Sequence, residues 1–100
     1  MDYKIVIDSG HGGEDSGAVG NGIVEKDLTL KISNYMFDRL KELGVPVTMT
    51  RYSDETLSPS ERVSRILNAY GNNSNVIVVS NHINAGGGDG QSVTNIKYNN

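Results

Sequence analysis

Residues 5–17 read Ile-Val-Ile-Asp-Ser-Gly-His-Gly-Gly-Glu-Asp-Ser-Gly, an apolar β-branched run that ends abruptly in glycines. The run from Ile5 to Ile7 predicts a strand buried on both faces, as in the centre of a parallel sheet. The glycines that follow let the backbone turn sharply and leave space around His11. Because open α/β sheets bind ligands in the crevice at the carboxyl ends of their strands, His11 stands where chemistry is expected.

The segment after this turn contains a loop and then a helix. Residues 14–24 show no apolar period and predict a loop, and βα loops of this length are often functional. A helix is predicted from Glu25, and Gly44 suits the left-handed position that ends it. Its predicted apolar face comprises Leu28, Ile32, Tyr35 or Met36, Leu40 and Leu43.

A second helix has a start signal with a clear mechanism. Ser58 can cap the helix, Pro59 fits its first position and Glu61 can reach back to close a capping box. Gly71 ends the helix. Its predicted buried face comprises Val63, Ile66, Leu67 and Tyr70.

Further strands are predicted at residues 45–50 and 76–79, which makes the order β-α-β-α-β. This order implies a three-layer α/β domain with parallel strands and right-handed crossovers. The simplest arrangement places the first strand in the middle, in the order 2-1-3. His11 and His82 then leave adjacent strands at the same edge of the sheet.

Composition argues against several classes of protein. One hundred residues make one domain, and 12 acidic against 9 basic side chains give a net charge of −3. The chain has no basic cluster, which disfavours nucleic-acid binding. It has no cysteine, so a disulfide framework or a thiolate metal site is excluded. We expect no membrane span, and we expect the polar residues 1–4 not to form a signal peptide.

The chain has two histidines, and each follows one of the two most apolar strands. A single histidine in a glycine-rich turn is usually solvated, but two in equivalent positions favour a metal pair. Catalytic zinc needs a third protein ligand. Spacing leaves that choice open between Glu14, Asp15, Glu25 and Asp27. Glu25 is predicted at the start of the first helix, on the side of the crevice, so its carboxylate can point into the crevice. A carboxylate at a helix N-terminus is also favoured by the helix dipole alone.

Other site classes match the glycine-rich turn poorly. A dinucleotide fingerprint needs a glycine where Asp15 stands. The nucleophile elbow Gly-x-Ser-x-Gly does not occur around Ser9 or Ser16. A glycine loop that binds an anion is also disfavoured, because Glu14 and Asp15 would repel the anion.

Five segments, in this order and spacing, carry a family resemblance: Val6-Ile-Asp-Ser-Gly-His-Gly-Gly-Glu-Asp-Ser-Gly-Ala18, Glu25-Lys-Asp27, Thr50-Arg51, Ser60-Glu-Arg62 and Ser80-Asn-His-Ile-Asn84. They resemble the zinc-dependent N-acetylmuramoyl-L-alanine amidases, cell-wall hydrolases found among bacterial autolysins, sporulation enzymes and phage endolysins. The resemblance implies that His11, Glu25 and His82 bind Zn²⁺. It also implies hydrolysis of the bond between the lactyl group of N-acetylmuramic acid and L-alanine in peptidoglycan.

The resemblance runs from about Lys4 to Gly90, with Ser16 where the family often has proline. We therefore assign residues 1–90 to the N-terminal portion of an amidase catalytic domain and residues 91–100 to an unmatched polar tail. The family's general-base glutamate lies beyond the matched portion, so no catalytic residue is assigned. The sheet is expected to be truncated relative to the full family sheet.

From this we expect an amidase that acts on the cell wall, secreted or released by a phage lysis system, with activity impaired by truncation. Asp15 and Asn84 are weaker candidates for positioning substrate, and satisfying loop backbone is the role we favour for them. One alternative is an incomplete fragment that binds zinc or wall peptide without hydrolysis. Another is an interaction module: unless the tail folds back, the third strand exposes an edge, which favours a homodimer.

Overall fold

The computed structural model describes residues 2–83 and 92–99. Strands and helices alternate over most of this length, as the sequence predicts. In chain order they are β1 (Lys4–Ser9), β2 (Val19–Gly20), β3 (Ile23–Val24), α1 (Glu25–Glu42), β4 (Val47–Met49), α2 (Pro59–Tyr70), β5 (Val76–Ile83) and β6 (Ser92–Asn99). None of the helices in the described part of the chain is long and apolar enough to cross a membrane.

The main sheet has the strand order β4-β1-β5-β6. β1 pairs in parallel with β4 on one side and with β5 on the other, so Ile7 lies between Met49 and Val79. The predicted α/β class and the central place of the first strand are therefore confirmed. This order brings the carboxyl ends of β1 and β5, which carry the two histidines, side by side.

The fourth strand of the sheet comes from the tail, in which the sequence shows no clear strand pattern. β6 runs antiparallel to β5, with Ser92 opposite Ile83 and Asn99 opposite Val76. The edge of β5 that would otherwise be open is thus paired along its whole length. The homodimer inferred from an open edge stays a prediction and loses this support.

The segment predicted as a loop contains a small hairpin, so that prediction is wrong for four of its residues. β2 and β3 pair in antiparallel fashion across Asn21 and Gly22, whose φ angles are 52° and 76°. Positive φ at both central positions is the geometry of the tight turn that Asn-Gly favours. The Asn-Gly pair was the sequence signal for this hairpin.

The core has one cluster on each face of the sheet, because successive residues of β1 point to opposite sides. Val6 lies in the cluster covered by α2, and Ile7 lies in the cluster covered by α1. The first cluster comprises Val6, Val76 and Val78 with Ile66, Ala69 and Tyr70 packed against it. The second comprises Ile7, Val47 and Met49 with Ile5, Met36, Phe37 and Leu40 packed against it.

The predicted apolar helix faces are only partly right. Tyr35 and Leu43 are 76% and 59% exposed, and Val63 and Leu67 are 54% and 42% exposed. The most buried positions of α1 are polar and lie four residues apart, which places them on one face: they are Glu25, Thr29 and Ser33. The first half of α1 therefore packs a polar stripe against the sheet, and only its second half packs an apolar one.

Candidate metal centre

The structure brings together the three residues to which the family resemblance gives the role of metal ligands. His11, Glu25 and His82 each offer a ligand atom, and these atoms lie within 4.8 Å of one another. Glu25 Oε2 is 3.1 Å from His11 Nε2 and 3.6 Å from His82 Nδ1. The two imidazole rings are nearly perpendicular, with centroids 5.5 Å apart. Within residues 2–83, no other group of three such side chains is found.

The donor set and its surroundings fit a divalent transition metal. Two imidazoles and one carboxylate are a common set in catalytic zinc sites that keep a position open. Glycines make room for them: a Cβ at Gly17 would lie 2.6 Å from His11 Cδ2, and one at Gly10 would lie 2.5 Å from His82 Cε1. Close approach therefore requires glycine at both positions, and at Gly17 the φ angle of 67° requires it as well.

His11 follows β1 in a strained conformation, with a φ angle of 64°. Positive φ is uncommon for residues other than glycine and persists where the surroundings fix it. Here Arg62 Nη2 donates to the His11 carbonyl oxygen at 3.1 Å. On the ring, Nδ1 lies 2.8 Å from Asp15 Oδ2, on the side away from Glu25.

Asp15 therefore contacts His11 through a carboxylate–imidazole hydrogen bond. Its other oxygen accepts from the Gly17 backbone N–H at 3.1 Å. The hydrogen bond with His11, followed by the one from Gly17, lowers the pKa of Asp15. A carboxylate bonded to Nδ1–H fixes the tautomer that leaves Nε2 free to bind a metal.

Glu25 is the first residue of α1 and is 4% exposed. Its Oε1 accepts from the Ala18 N–H and its Oε2 from the Ile83 N–H, both at 2.9 Å. Burial raises the pKa of Glu25, but these two backbone amides and the two histidines outweigh it and leave that pKa below its usual value. The carboxylate is thus held in the ionised form that binds metals.

The other acidic candidates are placed differently. Glu14 and Asp27 are exposed, and neither belongs to the metal-ligating group. Asp15 lies against the ring nitrogen of His11 that faces away from Glu25. Asn84 lies outside the described residues.

Two arginines beneath the site were given no role by the sequence analysis. Arg51 is 1% exposed and Arg62 forms a 2.6 Å ion pair with Asp8. Both donate to the backbone of the turn that carries His11. The only sequence signal was their presence in the Thr50-Arg51 and Ser60-Glu-Arg62 segments.

Comparison with known proteins gives a consistent result. The N-acetylmuramoyl-L-alanine amidase family matches residues 5–99. The uncharacterized protein YqiI of Bacillus subtilis (strain 168) is 46% identical over 82 residues, which cover 82% of this chain and 38% of YqiI. The sporulation-specific N-acetylmuramoyl-L-alanine amidase of the same organism is 43% identical over 89 residues, which cover 87% of this chain and 33% of that enzyme.

A solved structure shares the fold. The catalytic domain of CwlV, an N-acetylmuramoyl-L-alanine amidase from Bacillus (Paenibacillus) polymyxa var. colistinus, matches with a TM-score of 0.73 and 35% identity. The match covers 85% of this chain and 47% of that domain chain. The chain thus spans roughly a third of the length of the curated relatives described above, and just under half of the solved structure.

Proposed function

This chain belongs to the N-acetylmuramoyl-L-alanine amidase family, and we propose that it carries the zinc-binding part of an enzyme that hydrolyses the amide bond between N-acetylmuramic acid and L-alanine in peptidoglycan. The single observation that supports this most is the His11–Glu25–His82 group at the carboxyl edge of the sheet. Its place of action is then the cell wall, and peptidoglycan is its partner.

In this proposal His11 Nε2, His82 Nδ1 and Glu25 Oε2 hold the metal. When bound, zinc supplies Lewis acidity toward the amide carbonyl and lowers the pKa of a water molecule to about 7. Glu25 contributes a negative charge that offsets part of the charge of the ion. Asp15 holds the His11 ring in orientation through Nδ1.

The reaction also needs a group that moves a proton to the leaving nitrogen, a contribution of about 10²- to 10⁴-fold in many enzymes. The two described carboxylates that contact the histidines are Glu25 and Asp15, and both already accept hydrogen bonds from backbone amides. We therefore assign the general base to neither of them.

Zinc uptake by the purified chain tests the ligand set. We expect about one zinc per chain, and His11→Ala or His82→Ala should remove most of the affinity, because two remaining ligands rarely hold the metal. Glu14→Ala and Asp27→Ala are matched controls, since spacing alone left these residues as alternatives to Glu25. A double histidine variant that retains as much zinc as the parent would place the site elsewhere.

Hydrolysis is tested separately on purified peptidoglycan, by following the appearance of new L-alanine amino termini with and without added zinc. Zinc-dependent release that is lost in His11→Ala supports the amidase proposal. Zinc uptake without any release from intact or solubilised peptidoglycan would instead support the alternative of a chain that binds zinc without hydrolysing the wall.

A further inference from the structure

Arg51 is buried and forms no ion pair with any residue in the described part of the chain, although a buried charge is costly unless it is well compensated. Only 1% of the residue is exposed. Its guanidinium donates to four backbone carbonyl oxygens: Nη2 to Gly10 at 3.1 Å and to Lys26 at 2.9 Å, Nη1 to Ser53 at 2.9 Å, and Nε to Ser9 at 3.3 Å. All the hydrogen bonds that this guanidinium makes to described residues go to neutral oxygens, which points to a role beyond the stability of the core.

The carbonyl groups that Arg51 joins belong to the segments carrying two of the proposed ligands. Gly10 directly precedes His11, and Lys26 directly follows Glu25. One nitrogen, Nη2, contacts both carbonyl oxygens. The guanidinium therefore fixes the distance between the turn after β1 and the first turn of α1.

Arg62 makes the equivalent link toward the other histidine. Its Nη1 donates to Asp8 Oδ1 at 2.6 Å and to the Ser9 carbonyl at 2.7 Å, and its Nη2 donates to the His11 carbonyl. The second oxygen of Asp8 accepts from Ser80 Oγ at 2.8 Å. Ser80 lies on β5, two residues before the second histidine, so this chain of contacts joins β1 to the strand that carries it.

We propose that Arg51 and Arg62 are positioning residues that set the separations of the metal ligands, Arg51 for His11 and Glu25, and Arg62 for His11 and His82. This inference rests on the proposed function of those ligands. Together the two guanidinium groups bind three consecutive carbonyls, those of Ser9, Gly10 and His11. Several contacts of this kind are needed to keep a residue other than glycine, here His11, at a positive φ angle.

A lysine cannot replace either arginine in this role. The guanidinium is a rigid planar fork whose nitrogens reach several acceptors at once, whereas an ammonium is a single point of charge. Arg51→Lys and Arg62→Lys therefore keep the charge and remove the geometry. Arg65→Lys is the matched control, because Arg65 donates to Glu55 and the Thr50 carbonyl and touches none of the ligand-bearing turns.

The experiment measures zinc affinity by chelator competition, together with the visible spectrum of the Co²⁺-loaded chain, for the parent and each variant. Residues that orient metal ligands typically contribute roughly 10- to 100-fold to affinity, and we expect losses in this range for both lysine variants. Their cobalt spectra should also shift. Val47→Ala, which weakens the core on β4 far from the site, controls for lost stability and should leave the affinity and the spectrum unchanged.

The outcomes separate the two proposals. A parent chain that takes up no zinc overturns the ligand set and the positioning role together. A parent that binds zinc, with both lysine variants binding equally tightly, overturns the positioning role alone. For a lysine variant that does not fold, Ser80→Ala takes over the test of the Arg62 link, and Thr29→Val that of the Arg51 link. Unchanged zinc affinity in these variants overturns the corresponding link.

Discussion

The two helices of this domain begin in opposite ways. α2 begins with its own cap: Ser58 Oγ accepts from the Glu61 N–H at 3.1 Å, and the Ser58 N–H donates to Glu61 Oε1 at 2.9 Å. α1 begins after Val24, which makes no side-chain capping bond. The start of α2 is thus complete within four residues.

The start of α1 depends instead on the segment of the chain that precedes it. The Glu25 N–H donates to the Ala18 carbonyl at 2.9 Å, and the Lys26 N–H donates to the Ser16 carbonyl at 3.0 Å. The preceding loop and hairpin therefore take the place of a cap. Because no side chain at the start of α1 is needed for capping, the carboxylate of Glu25 is free to face the two histidines.

This difference separates stability from function. A self-contained start stabilises a helix wherever it lies, and it can be changed without touching a site. A start that depends on the carbonyl groups of a preceding loop is less independent, but it holds its first side chain in a fixed place. Substitutions at the start of α1 should therefore change both zinc affinity and stability. Substitutions at the start of α2 should have a smaller effect, on stability alone.

The largest effect is expected for Glu25→Gln at the start of α1. The neutral amide removes the anionic ligand, so we expect zinc affinity to fall by more than the roughly 100-fold seen when orienting residues are lost. The variant also offers one acceptor where the Ala18 and Ile83 amides need two, which should cost about 1–3 kcal/mol of unfolding free energy. Zinc titration and urea melts measure the two effects.

Glu42→Gln is the matched control, because Glu42 lies exposed at the other end of α1. It should change neither quantity. If Glu25→Gln binds zinc as the parent does, the start of α1 has no special role and the contrast between the two helices fails.

The next effect concerns Asp8, which links the first turn of α2, through Arg62, to the turn carrying His11. Burial raises the pKa of Asp8, but hydrogen bonds from Arg62, Ser80 and Thr50 together with the charge of Arg62 lower it below its usual value. A depressed pKa in the folded state means that Asp8 stabilises the fold above its unfolded pKa of about 3.9, and that this contribution is lost as pH falls below it.

Asp8→Asn should therefore lower the free energy of unfolding at pH 7 by about 2–3 kcal/mol. This is less than the cost of breaking a fully buried ion pair, because Arg62 still donates to the carbonyl oxygens of Ser9 and His11. The difference between parent and variant should shrink as urea melts are repeated toward pH 3. Asp38→Asn, at an exposed position of α1, is the matched control and should leave the free energy of unfolding at pH 7 unchanged. A constant difference across this range would mean that the ion pair does not account for the loss.

The same contrast explains what the sequence could predict. The capping box of α2 is local, so Ser58 and Glu61 revealed it directly, and the structure confirms it. The strand order also followed from local apolar runs and a general topological rule. The Asn-Gly turn at residues 21–22 was an equally local signal. It was missed because each flanking strand has only two residues and shows no strand pattern.

Spacing could not choose the acidic residue that meets the histidines, because that choice depends on contacts far apart in the chain. Glu25 is fixed by the amides of Ala18 and Ile83, which lie 7 and 58 residues away. The polar stripe of α1 was missed for the same reason. An amphipathic pattern ranks Thr29 and Ser33 as surface residues, yet Thr29 Oγ1 and Ser33 Oγ bond to the end of β1.

A smaller effect is expected for Thr29→Val within this polar stripe. Thr29 Oγ1 donates to the Gly10 carbonyl at 2.8 Å and accepts from Arg51 Nη2 at 3.3 Å. Valine keeps the shape and removes the hydroxyl, so we expect a loss of about 1–2 kcal/mol in urea melts. Zinc affinity should also fall, whereas Ser64→Ala on the exposed face of α2 should change neither. Lost stability with unchanged zinc affinity would show that the stripe serves the fold alone.

The smallest effect is expected for Ser58→Ala at the start of α2. Alanine removes the oxygen that accepts from the Glu61 N–H, and such caps are worth about 1 kcal/mol. Ser58→Thr keeps a capping hydroxyl and should retain most of the stability. Zinc affinity should stay at the parent value in both variants. The hydroxyl of Ser58 bonds only to Glu61 and Ser60, and the backbone bond from the Arg62 N–H to the Ser58 carbonyl remains. An unchanged urea midpoint in Ser58→Ala would mean that the cap does not stabilise α2. A fall in zinc affinity would mean instead that α2 is not independent of the site, because its first turn also carries Arg62.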